Sequence, residues 1–144
     1  MSLTDLVPTL QLSIGPVILI SGIGLLLLSM TNRLGRVIDR SRILVQDMRT
    51  CSESERATDA AQLKILVRRA RIVRSAIALA AFSVLLAALL VISLFVGALL
   101  QLPIVGLLVA LFVLCLVSLI VSLAFFISDI NLSLKALWLE VRVD

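Results

Sequence analysis

The chain has 144 residues, of which 61% are apolar and only 15% charged, with a net charge of +4. Soluble domains average about 45–50% apolar and about 25% charged, so this composition excludes an ordinary water-soluble core. Histidine and tyrosine are absent, which removes Ser-His and Cys-His nucleophilic sites and the commonest transition-metal ligand.

A membrane-crossing helix needs about 20 mostly apolar residues. Three stretches supply them: about 9–31, 75–100 and 103–128. The first is not expected to be a signal peptide, because Asp5 precedes it, arginines follow it, and no small-residue cleavage site comes after it. The predicted fold is an all-α membrane protein, one membrane domain over residues 1–144. Its three transmembrane helices carry a long cytoplasmic helical hairpin, residues 33–74, between the first and the second.

Within the first span, alternating steps of four and three residues pass through Gln11, Gly15, Ile18, Gly22, Leu25, Ser29, Asn32, Arg36 and Asp39. This is the 3.5-residue period of a supercoiled seam. Only Ile18 and Leu25 in it are large and apolar. Two readings stay open. Gly15, Gly22 and Gly24 can let neighbouring helices approach closely, with Gln11 bonding across the interface. Or the face from Gln11 to Asn32 lines a water-filled path with Ile18 and Leu25 as apolar constrictions. Pro16 removes the hydrogen bond to the carbonyl of Leu12 and leaves backbone that protein or water must meet.

The next segment holds ten arginines and Lys64 against Asp39, Asp47, Glu53, Glu55 and Asp59, a net charge of +6 between Arg33 and Arg74. The positive-inside rule puts it in the cytoplasm. The N-terminus and Gln101 then lie outside, and the C-terminus lies in the cytoplasm. Leu34, Ile38, Val45 and Met48, then Leu63, Leu66, Val67, Ala70 and Val73, recur at helical spacing. The first helix is expected to run to about Met48 and the return helix to start near Asp59. Ser52 with Glu55 and Asp59 with Gln62 offer capping boxes. The arginines serve topology and contact with anionic headgroups, or ion pairs between subunits such as Asp39 with Arg36, Arg40 or Arg68. Nucleic acid is not expected, since no aromatic platform for bases accompanies the charge.

Gln101-Leu102-Pro103 is the break between the second and third spans, and Pro103 suits a helix start. Ala76, Ala80, Ser83 and Ala87, then Gly106 with Ala110 and Ser118 with Ser122, form small-residue packing faces. Cys115, deep in an apolar run, is expected to be a packing residue that forms no disulfide with Cys51. Asp129 closes the third span and is expected to pair with Arg33 or Arg74, because an unpaired carboxylate at that depth is costly. In the tail, 129–144, Ile130, Leu134, Leu137 and Val141 fit a helix lying on the membrane with Trp138 in the interfacial belt. Leu139 to Asp144 alternates as a strand would.

The apolar run around Pro16, followed by Thr31-Asn32-Arg33-Leu34-x-Arg36-x-x-Asp39-Arg40-x-Arg42, resembles a family of small three-span prokaryotic membrane proteins catalogued as a domain of unknown function. The resemblance covers nearly the whole chain. It implies a bacterial inner membrane and a joint role for Asn32, Arg33, Arg36, Asp39, Arg40 and Arg42. It implies no activity.

The functional expectation is a homo-oligomeric ion channel of four to six copies, five preferred, since three helices cannot enclose an aqueous path. The first helix lines the pore, Asp5 marks the outer mouth, and inorganic cations are weakly favoured. Arg33, Arg36, Asp39, Arg40, Arg42, Arg68 and Asp129 make ion pairs or touch anionic membrane lipid. The alternative is a non-conducting adaptor or accessory subunit whose basic hairpin binds anionic lipid or an acidic partner. No enzyme, metal site or cofactor is expected, because no pair of intramembrane carboxylates exists.

Overall fold

The computed structural model describes residues 2–50 and 52–143, with side chains except those of residues 136 and 139–143. The fold is all-α: α1 (Leu3–Thr50), α2 (Glu53–Leu100) and α3 (Val105–Val143). Each contains a stretch long and apolar enough to cross a membrane. Ser2 caps α1. Its carbonyl accepts from the N–H groups of Asp5 and Leu6, and its hydroxyl donates to the Asp5 carboxylate at 2.9 Å. The carboxylate also sits where the helix dipole favours negative charge. Pro8 and Pro16 lie inside α1, which continues through both.

The expected hairpin of residues 33–74 is not a separate element. Its two arms are the continuing halves of α1 and α2, and the connection is shorter than the sequence suggested. The return helix begins at Glu53 rather than near Asp59, with Ser52 at its N-cap: the Ser52 carbonyl accepts from the Arg56 N–H at 2.9 Å. Helix has therefore started before Asp59-Gln62 could act as a cap. Arg56 Nε donates to the Met48 carbonyl at 3.2 Å, meeting one of the orphan acceptors at the end of α1. Cys51 lies outside the described residues. The tail is helical to Val143 as part of α3, so the strand reading is overturned; the side chain of Val141 lies outside the described set.

The chain divides into two compact units, each drawing on all three helices. The first comprises Met1–Leu28 and Ala78–Val121. Leu86, Ala87 and Cys115 form its buried cluster, with Leu19, Ile20 and Leu111 against it. Ser83 donates its hydroxyl to the Cys115 carbonyl at 2.9 Å, and the Cys115 thiol donates back to the Ser83 carbonyl at 3.2 Å. Ser118 donates to the Leu79 carbonyl at 2.8 Å. Cys115 is thus a hydrogen-bonding residue as well as a packing one. Gly106 and Ala110, expected to pack, are exposed. Gln101 ends α2 in the left-handed region, φ 52°, and the Leu102 N–H returns to the Gly97 carbonyl at 3.1 Å. This is a Schellman closure. A Cβ at Gly97 would meet Ile104 Cδ1 at 2.5 Å, so a larger residue there would make the Ile104 side chain shift.

The second unit comprises Ser29–Ile77 and Ser122–Asp144. Its core is Met30, Val37, Leu66, Val73 and Ala76, joined by the fully buried Ser122 and Asp129. The Ser122 hydroxyl donates to the Ala76 carbonyl.

Candidate functional site

Two faces of α1 share the 3.5-residue period. Thr9, Ser13, Pro16, Ile23, Met30 and Val37 are buried. The Gln11-to-Asp39 stripe lies two residues further along at each step. At about 100° per residue, that offset carries it to the opposite side of the helix. All nine of its residues are exposed, five in the first unit and four in the second. Ile18 and Leu25 are 65% and 72% exposed. A Cβ added at Gly15, Gly22 or Gly24 would meet nothing within 4 Å. The close helix approach offered as one reading of these glycines is therefore not made among the described residues of this chain. Asp5, the candidate outer mouth, is exposed, and its carboxylate serves the α1 cap.

The arginine motif is divided by helical phase. Arg33, Arg36 and Arg40 return to one side of α1, while Arg42 lies half a turn away. Arg33 donates through Nε to the Asp129 carboxylate, and Arg69 Nε donates to its other oxygen at 3.3 Å. Asp129 is wholly buried, and the arginine side chains are 28% and 16% exposed. The Arg33 guanidinium also stands 5.9 Å from the Phe126 ring centre, within cation–π range. Arg33 was one of the two expected partners. Arg69 replaces Arg74 because residue 69 shares the α2 face of Leu66, Val73 and Ala76, whereas residue 74 is about a third of a turn off it.

Arg33, Arg36, Arg40 and Arg69 line a cavity of about 240 Å³, with Ser133 from α3 and Leu66 beneath. On the other side of α1, Arg42, Arg49, Arg71 and Arg74 rim a larger groove of about 630 Å³, floored by residues such as Ile38 and Val67. Arg68 and Asp39 are exposed. Sequence reasoning missed Arg69, Ser133, Arg49 and Arg71. For Arg69 the signal was present in its phase on α2. For Ser133 nothing marked it, since its place depends on α3 remaining helical past Asp129.

Three spans, basic helix arms either side of a short turn and a phased arginine motif make a coherent multi-pass membrane protein. It belongs to the DUF2721 family. The family model, described as a protein of unknown function, matches residues 13–139 and so takes in the stripe from Gly15 onward, both arginine clusters and Asp129. No curated protein and no solved structure matches the chain. The family description carries no activity to this DUF2721 chain, whose function is argued from its own geometry.

Proposed function

We propose that this DUF2721 protein is a homo-oligomeric ion channel of a bacterial inner membrane. Four to six copies, five preferred, surround a path lined by α1 that weakly favours cations. The observation that carries this reading is the exposure of all nine stripe residues, opposite the face α1 buries. Glycine and polar groups facing lipid gain nothing there, whereas against copies of the same helix they allow close approach or line water. Gln11 and Asn32 would supply amide dipoles, and Ile18 and Leu25 would form constrictions that gate by dewetting. The +6 segment holds the α1–α2 turn in the cytoplasm and leaves the N-terminus and Gln101 outside.

Ion flux into liposomes holding the purified protein tests the reading. Gln11→Ala is expected to alter ion preference, and Ile18→Ser or Leu25→Ser to raise basal flux by wetting the constriction. Unchanged flux and selectivity in all three, in a folded oligomer, would remove α1 from any pore wall. The arginine-rimmed groove favours the second reading, a non-conducting adaptor that takes an acidic partner. Its sign is copurification of a second protein with no flux.

A further inference from the structure

The larger groove is a surface without a partner in its own chain. It lies between α1 and α2, wholly within the second unit. Ile38, Val45 and Val67 on its floor are 40%, 38% and 44% exposed. They stand beyond the apolar spans, where grouped apolar side chains meet water and mark a binding face. Four arginines rim the floor, and no acidic residue is among the described residues that line it. None of the four makes an ion pair with a described residue.

Depth limits what can cover this groove. Arg33 follows the first apolar stretch at once. At about 1.5 Å per residue, Arg49 lies about 24 Å further along α1. A lipid headgroup can reach Arg71 and Arg74, next to the second span, but its acyl chains stay in the bilayer and leave Val45 and Arg49 uncovered. A helix can cover the whole length.

The same chain carries a helix face that fits. Asp39, Ile43 and Asp47 follow one another at four-residue steps on α1 and so share one side. All three are exposed, Ile43 by 60%, and neither carboxylate makes an ion pair with a described residue. The carboxylates are about 12 Å apart along the helix, and Arg42 and Arg49 about 10 Å. The acidic face stands about a third of a turn from the side of Arg42 and Arg49. The nearest basic residues of α1, Arg36 and Arg40, line the cavity beside Asp129. Asp39 also ends the exposed stripe, so this face continues the surface assigned above to contacts between copies. Copies arranged about an axis normal to the membrane stand at one depth. Residues 39–47 of one copy are therefore level with residues 42–49 of the next. That match of depth favours a second copy over an acidic second protein, which would have to bring its own helix to this level.

We propose that the groove of one copy takes the face of Asp39, Ile43 and Asp47 from α1 of the next. Ile43 packs on the apolar floor, the two carboxylates meet Arg42 and Arg49, and Arg71 and Arg74 remain at headgroup level. Two different surfaces meet, so the contact is head-to-tail, and such contacts generate rings where the rotation closes. This inference rests on the reading of the protein as an assembly of copies, and not on whether that assembly conducts.

Disulfide trapping in membranes tests it, with Cys51→Ser throughout and the buried Cys115 kept. Full-length copies carrying Ile43→Cys are co-expressed with copies carrying Val67→Cys and mildly oxidised. A cross-linked dimer is expected in the mixture, with at least about tenfold less from either variant alone. Native mass spectrometry in mild detergent supplies the second arm. Arg42→Glu and Asp39→Arg, each alone, are expected to reduce the oligomer at least about tenfold, because like charges then face each other. The two together in one chain are expected to restore it. Lys64→Glu makes the same charge change at an exposed position outside the groove and is expected to leave the oligomer within about twofold.

Normal oligomers in both single variants, with no cross-link in the mixture, would overturn the groove contact and leave the assembly standing. Equal cross-linking of Ile43→Cys with itself would overturn it too, since like faces would then meet. Monomers alone from the unaltered protein would overturn the contact and the assembly together. Copurification of an acidic second protein, lost in Arg42→Glu, while mixed copies fail to cross-link, would overturn the second copy as the occupant. Cross-linked oligomers without ion flux would uphold the contact and remove the channel. If the charge variants do not fold, the cross-linking arm still decides.

Discussion

The two units hold the same three helices together by different means. In the first, most buried residues of α2 and α3 are small, Ala80, Ser83, Ala87, Cys115 and Ser118, with Leu86 and Leu90 among them. Hydroxyl and thiol groups there bond directly to the backbone of the facing helix. In the second, Met30, Val37, Leu66 and Val73 are buried beside an ion-paired carboxylate. The difference follows from the solvent each sequence expects. Lipid tails are as apolar as leucine, so burying a large apolar side chain between helices gains little, and close backbone approach gains more. Next to water, burying a leucine or valine stabilises by about 1.5–3 kcal/mol. Carrying large side chains into the seam therefore stabilises more there.

The largest test of this contrast is Asp129. Asp129→Ala leaves Arg33 and Arg69 converging on a buried position with no carboxylate between them. Breaking a buried pair from one side costs about 3–5 kcal/mol. A denaturation titration in mixed micelles should show a loss of that size, with α3 beyond Ser122 released first. A loss under about 1 kcal/mol would mean that the pair is solvated and anchors nothing.

A matched pair of leucines sharpens the comparison. Leu66 and Leu86 are both 6% exposed, one in each unit. Leu66→Ala should cost about 2–5 kcal/mol, since it loses both transfer free energy and packing. Leu86→Ala should cost less, because lipid replaces water as the reference and only the packing loss remains. Equal costs in the same titration would break the argument from solvent.

Much of this was legible in the sequence. Apolar runs of spanning length appear whatever the packing, so the three helices followed from length alone. The stripe of α1 followed from its period, because the same period sets the buried face two residues away. What failed depended on phase or on local backbone choice. Arg74 is as basic as Arg69 and nearer the membrane, but it lies off the α2 seam. Asp59-Gln62 has the form of a cap, yet Ser52 nucleates α2 first and the helix runs through it. Gly106 and Ala110 have the right spacing for a packed face, but they lie on the exposed side of α3. The site at Ser133 required knowing that α3 does not stop at Asp129.

The two inter-helix turns give a smaller test. Near residue 52 the chain turns in a polar setting, where Arg56 reaches back to the Met48 carbonyl. At Gln101 it turns with a non-glycine residue at φ 52°, a conformation that costs an L-residue about 1 kcal/mol. Gln101→Gly should relieve that strain and raise the thermal midpoint by an amount worth up to about 1 kcal/mol. A fall would show that the Gln101 side chain makes a compensating contact.

The smallest expected effect is at Ser83, and it carries the most information about the first unit. Ser83 Oγ donates to the Cys115 carbonyl, which as part of α3 also accepts from its own helix. Deleting the hydroxyl therefore leaves no orphaned acceptor. Alanine suits a face already built from Ala80 and Ala87, and the Cys115 thiol can still donate to the carbonyl of residue 83. Interhelical hydrogen bonds in membrane proteins average about 0.6 kcal/mol. Ser83→Ala should fall at or below that value in the micelle titration, several-fold less than Asp129→Ala. A cost of several kcal/mol would mean that hydrogen bonding, and not close packing of small residues, binds α2 to α3 in the first unit. The two units would then be held by the same kind of force.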